Sequence, residues 1–344
     1  MPDSKMSTEI REQPEVLERI LNEGWPEARS ASRALREGRL RSVMIAARGT
    51  SDNAALYAKY LFEVLLGLPT ALASPSVFTL YESKMNLEGV LVVGLSQSGE
   101  SQDVLETVRR SGELGARTLA VTNNEASAMA EAAQHHLFLR AGKEESVAST
   151  KTYTAELLVL YLLASALKGE ESLGNEVRGL PELSREVLEE SWEGTERYRY
   201  AEYMVVTSRG YNLATAEEAA LKLMETTYVM AQAFSAADLR HGPIAMIGQD
   251  FPVLIIVPPG RVQQGLRSLV GSLKDRGAEF VAISDDSSIL EKASAKFEIQ
   301  GRCADKLSPI LYAVPIQLFA ENLAHLKGLN PDSPRGLSKV TETW

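Results

Sequence analysis

Apolar residues recur along this chain in two rhythms, one with helical spacing and one in short unbroken runs. Val16, Leu17, Ile20 and Leu21 share one helical face, with Pro14 in the first turn, so the pattern predicts a helix over about 14–23 ended by Gly24. A second helix, about 26–37, is expected to stop at Gly38. Ser42 to Ala47 then reads as a buried strand running into Arg48-Gly49-Thr50-Ser51, followed by a helix carrying Ala54, Ala55, Tyr57, Ala58, Leu61, Phe62 and Leu65. After an apolar stretch at 68–73, Val90 to Leu95 is a second buried strand. It breaks into a polar turn, Ser96 to Ser101, and resumes as a helix through Val104, Leu105 and Val108. Thr118 to Thr122 and His136 to Arg140 add two further strands. Strands alternating with helices predict βαβ units and a parallel sheet.

The second half repeats this order at a spacing of roughly 160 residues, a duplication on the scale of a domain. Tyr203 to Ser208 before Arg209-Gly210 answers the strand that ends in Arg48-Gly49. Val253 to Val257 before Pro258-Pro259-Gly260 answers the strand before the serine turn, and Gly277-Ala278 before a strand answers Gly115-Ala116. Residues of about 168–195 are polar and interrupted by Gly169, Gly174, Gly179 and Pro181, which marks a linker with a helix at about 182–193. The expected fold class is therefore α/β, with two tandem copies of a parallel sheet flanked by helices in a flavodoxin-like three-layer sandwich. The expected divisions are 1–170 for the N-terminal helices and first domain, 171–328 for the linker helix and second domain, and 329–344 for a tail.

Composition narrows the function classes. The net charge of −10 argues against a nucleic-acid partner, which needs a basic face. Cys303 is the single cysteine, so neither an intrachain disulfide nor a thiolate metal cluster is expected. The N-terminus is charged and lacks the apolar core of a signal peptide, and the most apolar helical run, near Leu157 to Leu167, is too short for a membrane span. A cytoplasmic location is the expectation.

Three hydroxyl-rich helix starts fall in the first copy: Thr50 and Ser51, the Ser96–Ser101 turn, and Ser146, Ser149 and Thr150. Helix N-termini leave backbone N–H groups without intrahelical partners and favour negative charge, so such turns can hold an anion without a basic patch. The second copy places Pro258 and Pro259 where the first has Gln97 and Ser98 and so lacks those donors. In the apolar helix expected over Ala216 to Ala231, Glu218, Lys222 and Glu225 lie on one face, an arrangement suited either to a surface salt-bridge ladder or to a partly buried proton-transfer base. His241, beside Gly242-Pro243 and ahead of an expected strand at Ile244–Ile247, is a further acid/base group. The tail carries Arg335 and Lys339 in a stretch without helical period.

Taken together, these motifs resemble the sugar isomerase (SIS) family in its tandem form, whose members include the isomerase half of glucosamine-6-phosphate synthase and stand-alone SIS-type deaminases. The stretches that carry the resemblance are RGTS (48–51), SQSGES (96–101), ESVASTK (145–151), ALKLMET (220–226), LRHGP (239–243) and PRGLSKVT (334–341). The resemblance implies that Thr50, Ser51, Ser96, Gln97, Ser98 and Ser101 bind a sugar and its phosphate, and that Ser149 contacts sugar hydroxyls. It further implies Glu225 as the base that moves a proton between C1 and C2, Lys222 as its electrostatic support, and His241 as the ring-opening group donated from a neighbouring subunit of a homodimer. Lys339 would contact the open-chain sugar or form a Schiff base with it. No metal or other cofactor is implied, and the expected ligand is a small hexose or hexosamine 6-phosphate, not a membrane or nucleic acid. No glutaminase segment is found ahead of the match, and the tail is one residue shorter after Lys339 than the synthase pattern. Both point to deamination of glucosamine 6-phosphate. The alternatives are a fructosamine-6-phosphate deglycase, another aldose–ketose phosphosugar isomerase, and a non-enzymatic sugar-phosphate sensor.

Overall fold

The computed structural model describes residues 4–301 and 303–339. Among the described residues ten strands form, in chain order β1 (Ser42–Ala46), β2 (Thr70–Leu72), β3 (Val90–Ser96), β4 (Arg117–Thr122), β5 (His135–Phe138), β6 (Tyr203–Ser208), β7 (Met230–Ser235), β8 (Pro252–Val257), β9 (Glu279–Ser284) and β10 (Ala295–Glu298). The α-helices are α1 (Lys5–Arg11), α2 (Gln13–Arg36), α3 (Thr50–Leu61), α4 (Pro75–Thr79), α5 (Gln102–Glu113), α6 (Ala128–Ala132), α7 (Lys151–Lys168), α8 (Glu171–Glu176), α9 (Leu180–Glu189), α10 (Leu213–Thr227), α11 (Ala236–Arg240), α12 (Gln263–Asp275), α13 (Ser287–Leu290) and α14 (Ser308–Leu326).

The strands form two five-stranded parallel sheets, in the orders β2-β1-β3-β4-β5 and β7-β6-β8-β9-β10. These are one order written twice, as the sequence duplication predicts. In each sheet the first strand of its copy is flanked by the second and third, which puts a topological switch point between β1 and β3 and another between β6 and β8. Ligands of open α/β sheets bind beyond the carboxyl ends of the strands at such points.

Two compact units hold these sheets. The first comprises Glu15–Glu144, Lys151–Arg178 and tail residues 337–339; the second comprises residues 4–14, Glu145–Thr150 and Gly179–Gly336. The first core packs Val104 and Val108, one turn apart on α5, against Ala46, Ala120 and Met129. The second packs Leu266, Leu269 and Leu273 of α12 against Val253, Ile255 and Val257 of β8. No helix among the described residues is long and apolar enough to cross a membrane.

Several local expectations are corrected. The two helices expected at 14–23 and 26–37 are a single helix, α2, with Gly24 and Pro26 inside it. Proline forfeits one backbone bond there, but a buried stripe of Val16, Leu17, Ile20, Ala28, Ala31 and Leu35 runs unbroken past it. The helix expected to reach Ala231 ends at Thr227, where Tyr228 turns left-handed at φ 57°, and the chain then enters β7. The stretch after His241 is a 3₁₀ turn over Pro243–Met246, not a strand. The strand placed at His136–Arg140 lies one to two residues earlier, because Arg140 takes a positive φ of 54°. Within the linker, α8 forms in addition to α9.

Candidate active site

In the first unit, the two loops at the β1–β3 switch point are tied together. Arg48, at the end of β1, donates from Nε (2.7 Å) and Nη2 (2.6 Å) to one oxygen of Asp103, a buried carboxylate in the first turn of α5. Its other oxygen accepts the Val104 backbone N–H at 2.9 Å. Asp103 thus fixes the RGTS loop against the serine turn, with an ion pair that is only half exposed on the arginine side. Gly49, at φ 56° and ψ −131°, makes the sharp entry into α3 that a side chain would strain.

The serine turn is itself fully determined. Ser96 Oγ accepts the Gly99 backbone N–H at 3.2 Å and lies 3.2 Å from Ser101 Oγ, while Ser98 Oγ accepts the Glu100 backbone N–H at 3.2 Å. Gly99 holds φ 71°, and a Cβ there would sit 2.3 Å from Ser127 Oγ, so no other residue fits. Ser101 occupies the N-cap position of α5 but makes no side-chain cap bond, which leaves the hydroxyl directed to the turn and not to the helix. Gln97 and Ser98 are half-buried. Thr50 opens α3 as a half-buried residue, and the adjacent Ser51, buried, donates its hydroxyl to Glu156 of α7 at 2.7 Å. That bond commits the Ser51 proton to a carboxylate, so its oxygen can meet a ligand only as an acceptor. Burial raises the pKa of the neighbouring Asp52 despite the opposing charge of Arg48.

In the second unit, α10 carries Glu218, Lys222 and Glu225. The surface-ladder reading does not hold: the Lys222 and Glu218 side chains are wholly buried, and Glu225 is 23% exposed. Lys222 Nζ donates to Glu225 Oε2 at 2.5 Å and lies 3.4 Å from Glu218 Oε1. Burial alone would lower the pKa of the Lys222 ammonium, but the two carboxylates outweigh burial and the net shift is upward. A partly open carboxylate fixed by a buried charged lysine can exchange a proton with a group that reaches it. His241 caps the C-terminus of α11, its backbone N–H bonded to the Asp238 carbonyl at 3.0 Å, and the residue is exposed. Ser149, half-buried, lies in the Glu145–Thr150 segment. Glu9 of α1 accepts the backbone N–H groups of Glu145 and Ser146, and Gln317 of α14 donates to the Thr150 carbonyl at 3.2 Å. Arg335 is held over the Tyr228 ring, 4.0 Å from its centroid.

Sequence reading missed Asp103, Glu156, Glu9, Gln317 and Glu144. Glu156 had a visible signal, an acid inside an otherwise apolar helix. The others hold loops from a distance in sequence, for which no local pattern exists. Lys339 is paired with Glu144 at 2.8 Å in the first unit.

Comparison with known proteins agrees with this duplicated architecture. The SIS domain model matches residues 39–166 and again 198–326. Glutamine–fructose-6-phosphate aminotransferase (isomerizing) of Methanothermobacter thermautotrophicus is 35% identical over 98% of this chain, and the chain spans 57% of that relative's length. A candidate phosphosugar isomerase of Silicibacter pomeroyi has a solved structure that superposes with a TM-score of 0.87 at 29% identity, covering 96% of this chain and 100% of the other. The C-terminal domain of glucosamine-fructose-6-phosphate aminotransferase of Francisella tularensis superposes with a TM-score of 0.85 at 26% identity, covering 96% and 98%. With two matched copies, two sheets of identical strand order and relatives of that architecture, the chain belongs to the SIS domain family.

Proposed function

We propose that this chain converts glucosamine 6-phosphate and water to fructose 6-phosphate and ammonia. The observation that carries the reading is the seated pair on α10, a partly open Glu225 tied through one oxygen to a wholly buried Lys222. The anchored oxygen, Oε2, fixes the carboxylate's rotamer and leaves Oε1 to carry a proton between adjacent carbons. In the open-chain amino sugar, Glu225 takes the proton from C2 and returns it to C1, which turns the C1 aldehyde and C2 amine into a C1 alcohol and a C2 imine. Water then adds at C2 and ammonia leaves. Only protons, water and ammonia move, and the atoms balance without an external oxidant or reductant.

The remaining residues take roles that fit their surroundings. The hydroxyls of Thr50, Ser96, Ser98 and Ser101, with Gln97, hold the 6-phosphate, using donors at a helix start in place of a basic patch. Ser51 accepts from a donor on the sugar, and Ser149 contacts a sugar hydroxyl. His241 opens the ring, contributed across the interface of a homodimer, and Lys339 contacts the open-chain sugar. Binding energy from the non-reacting phosphate holds C1 and C2 against Glu225.

The test is an ammonia-release assay on glucosamine 6-phosphate, with fructose 6-phosphate measured in parallel. One ammonia per ketose is the expected stoichiometry, and Glu225→Gln lowers kcat by about 10²–10⁴-fold. Absence of turnover with both glucosamine 6-phosphate and galactosamine 6-phosphate overturns the reading. Mixing inactive Glu225→Gln and His241→Asn chains restores part of the activity if the site is shared between subunits. Failure to recover any, after subunit exchange has been demonstrated, removes the dimer part alone.

A further inference from the structure

The first turn of α7 is capped by an acid from outside the helix. Glu144, whose side chain is fully buried, accepts the Thr152 backbone N–H at Oε1 (3.2 Å) and the Thr152 hydroxyl at Oε2 (2.6 Å). Ser146, Ser149 and Thr150, the hydroxyls that the sequence places at this helix start, are joined there by an acid from further upstream. An N-terminal helix turn is a favourable place for a negative charge. Two bonds from one threonine also fix the carboxylate's position before anything else reaches it. The group that reaches it is the tail lysine: Lys339 Nζ donates to Glu144 Oε2 at 2.8 Å, with 24% of the lysine side chain exposed. The chain thus brings residues 195 positions apart into a charge-assisted bond at a rigid socket.

We propose that Glu144 is the positioning residue for Lys339, a helix-anchored carboxylate that docks the tail with its lysine in one place. The inference rests on the reading of Lys339 as the residue that contacts the open-chain sugar. A long, flexible amine on a terminal segment has many rotamers, and catalysis needs it in one. A buried carboxylate fixed by Thr152 supplies that constraint, because the desolvated anion and the arriving cation each lower the other's cost. The socket also couples the tail to the start of α7, so an altered cap and a misplaced lysine are two effects of one substitution that must be separated.

Glu144→Gln is the informative variant. Its amide oxygen can still accept from Thr152, so it retains a cap while removing the charge that holds the lysine. Two readouts follow. Trypsin must take the Lys339 ammonium into its own specificity pocket, so cleavage after Lys339, read as intact mass and normalised to cleavage after Arg335, rises about tenfold. In the ammonia-release assay, kcat falls by a similar factor. Glu144→Asp, with the charge kept on a shorter arm, restores part of both. A purely structural cap would lower the melting temperature without moving the ratio of the two tryptic cuts. If Glu144→Gln fails to fold, Thr152→Val loosens the same carboxylate and is expected to shift the ratio in the same direction by a smaller factor. An unchanged Lys339-to-Arg335 ratio in the folded variants overturns the proposal. Full turnover in Lys339→Met would instead overturn the catalytic reading of the lysine, and the cleavage ratio would still judge the docking by itself.

Discussion

The two units share a strand order and diverge at the same place within it. At the β1–β3 switch point, Ser96, Ser98, Gly99 and Ser101 turn hydroxyls and backbone N–H groups toward one another across a tight bend, and Asp103 clamps that bend to Arg48. At the matching place in the second unit the hydroxyls are spent on the sheet. Ser208 donates to the Ile256 carbonyl at 2.9 Å and Ser284 to the Val257 carbonyl at 2.8 Å, and Pro258 and Pro259 follow with no N–H to offer. What the second unit has instead is a buried lysine held between two carboxylates of one helix, Lys222 with Glu218 and Glu225 on α10. Duplication supplied two equivalent strand orders; the first carries hydroxyls and backbone donors at its switch point, and the second carries the Glu218–Lys222–Glu225 cluster on α10.

The sharpest way to break this comparison is to remove the charge that distinguishes the second unit. Lys222→Met takes away the ammonium that faces both Glu218 and Glu225, and loss of one member of a buried ion pair costs about 3–5 kcal/mol. The damage should register in the second unit, where Cys303 serves as the reporter: burial first, with Asp285 and Asp305 adding to it, pushes its thiol up to about 12. Thiol labelling is accordingly slow in the folded protein and accelerates in Lys222→Met. Adding Glu218→Gln recovers much of the loss if the interaction between the two is what matters. Labelling at the wild-type rate in Lys222→Met would show that the pair does not support the fold.

A middle-sized effect is expected from exchanging the turns. Ser98→Pro gives the first unit a feature of the second, removing one hydroxyl and one backbone donor. The KM for the sugar phosphate rises about 10–100-fold, with little change in melting temperature. Pro259→Ser in the second unit changes neither. Equal responses to the two substitutions would mean that the crevices are not specialised.

The smallest effect concerns pH. Asp52 in the first turn of α3 has its pKa raised by burial, against the lowering influence of Arg48. A carboxyl whose folded pKa lies above its unfolded value of 3.8 binds its proton more tightly in the native state. The stability it contributes is present below pH 3.8 and is lost as pH rises through the folded value. Asp52→Asn is therefore more stable than wild type at neutral pH, with the advantage fading as pH falls toward 3.8, as chemical denaturation at several pH values would measure. A constant difference across that range contradicts the assignment.

Much of this organisation was legible in the sequence because it is written in short range. The strands at 42–46, 90–96, 117–122, 203–208 and 252–257 are apolar runs closed by turn residues, and each was recoverable from that pattern. β7 was not. Its sequence, MAQAFS, alternates exposed and buried positions, but its alanines continue the composition of the preceding helix, and the break is made by a left-handed tyrosine in place of a glycine. Candidate site residues were legible by type and spacing, as with Glu225 four places before Val229 and three after Lys222. The groups that hold them were not. Glu144, Glu156, Asp103 and Glu9 look like ordinary acids until the fold brings Lys339, Ser51, Arg48 and the 145–146 backbone to them.

The path of the chain between the two units has a consequence for how the molecule is made. Residues 4–14 and 145–150 belong with the second unit, while 151–178 and the end of the tail belong with the first. The backbone therefore passes from one unit to the other at five places, 14/15, 144/145, 150/151, 178/179 and 336/337. No single cut releases either half. On a ribosome, where domains ordinarily finish in the order they emerge, the first stretch of this chain must wait for residues some three hundred positions later, and the first unit receives its last contributor only after the second is complete. A product that stops short of residue 332 would leave the second unit without the Asp332 partner of its 4–14 segment and the first without its 337–339 segment.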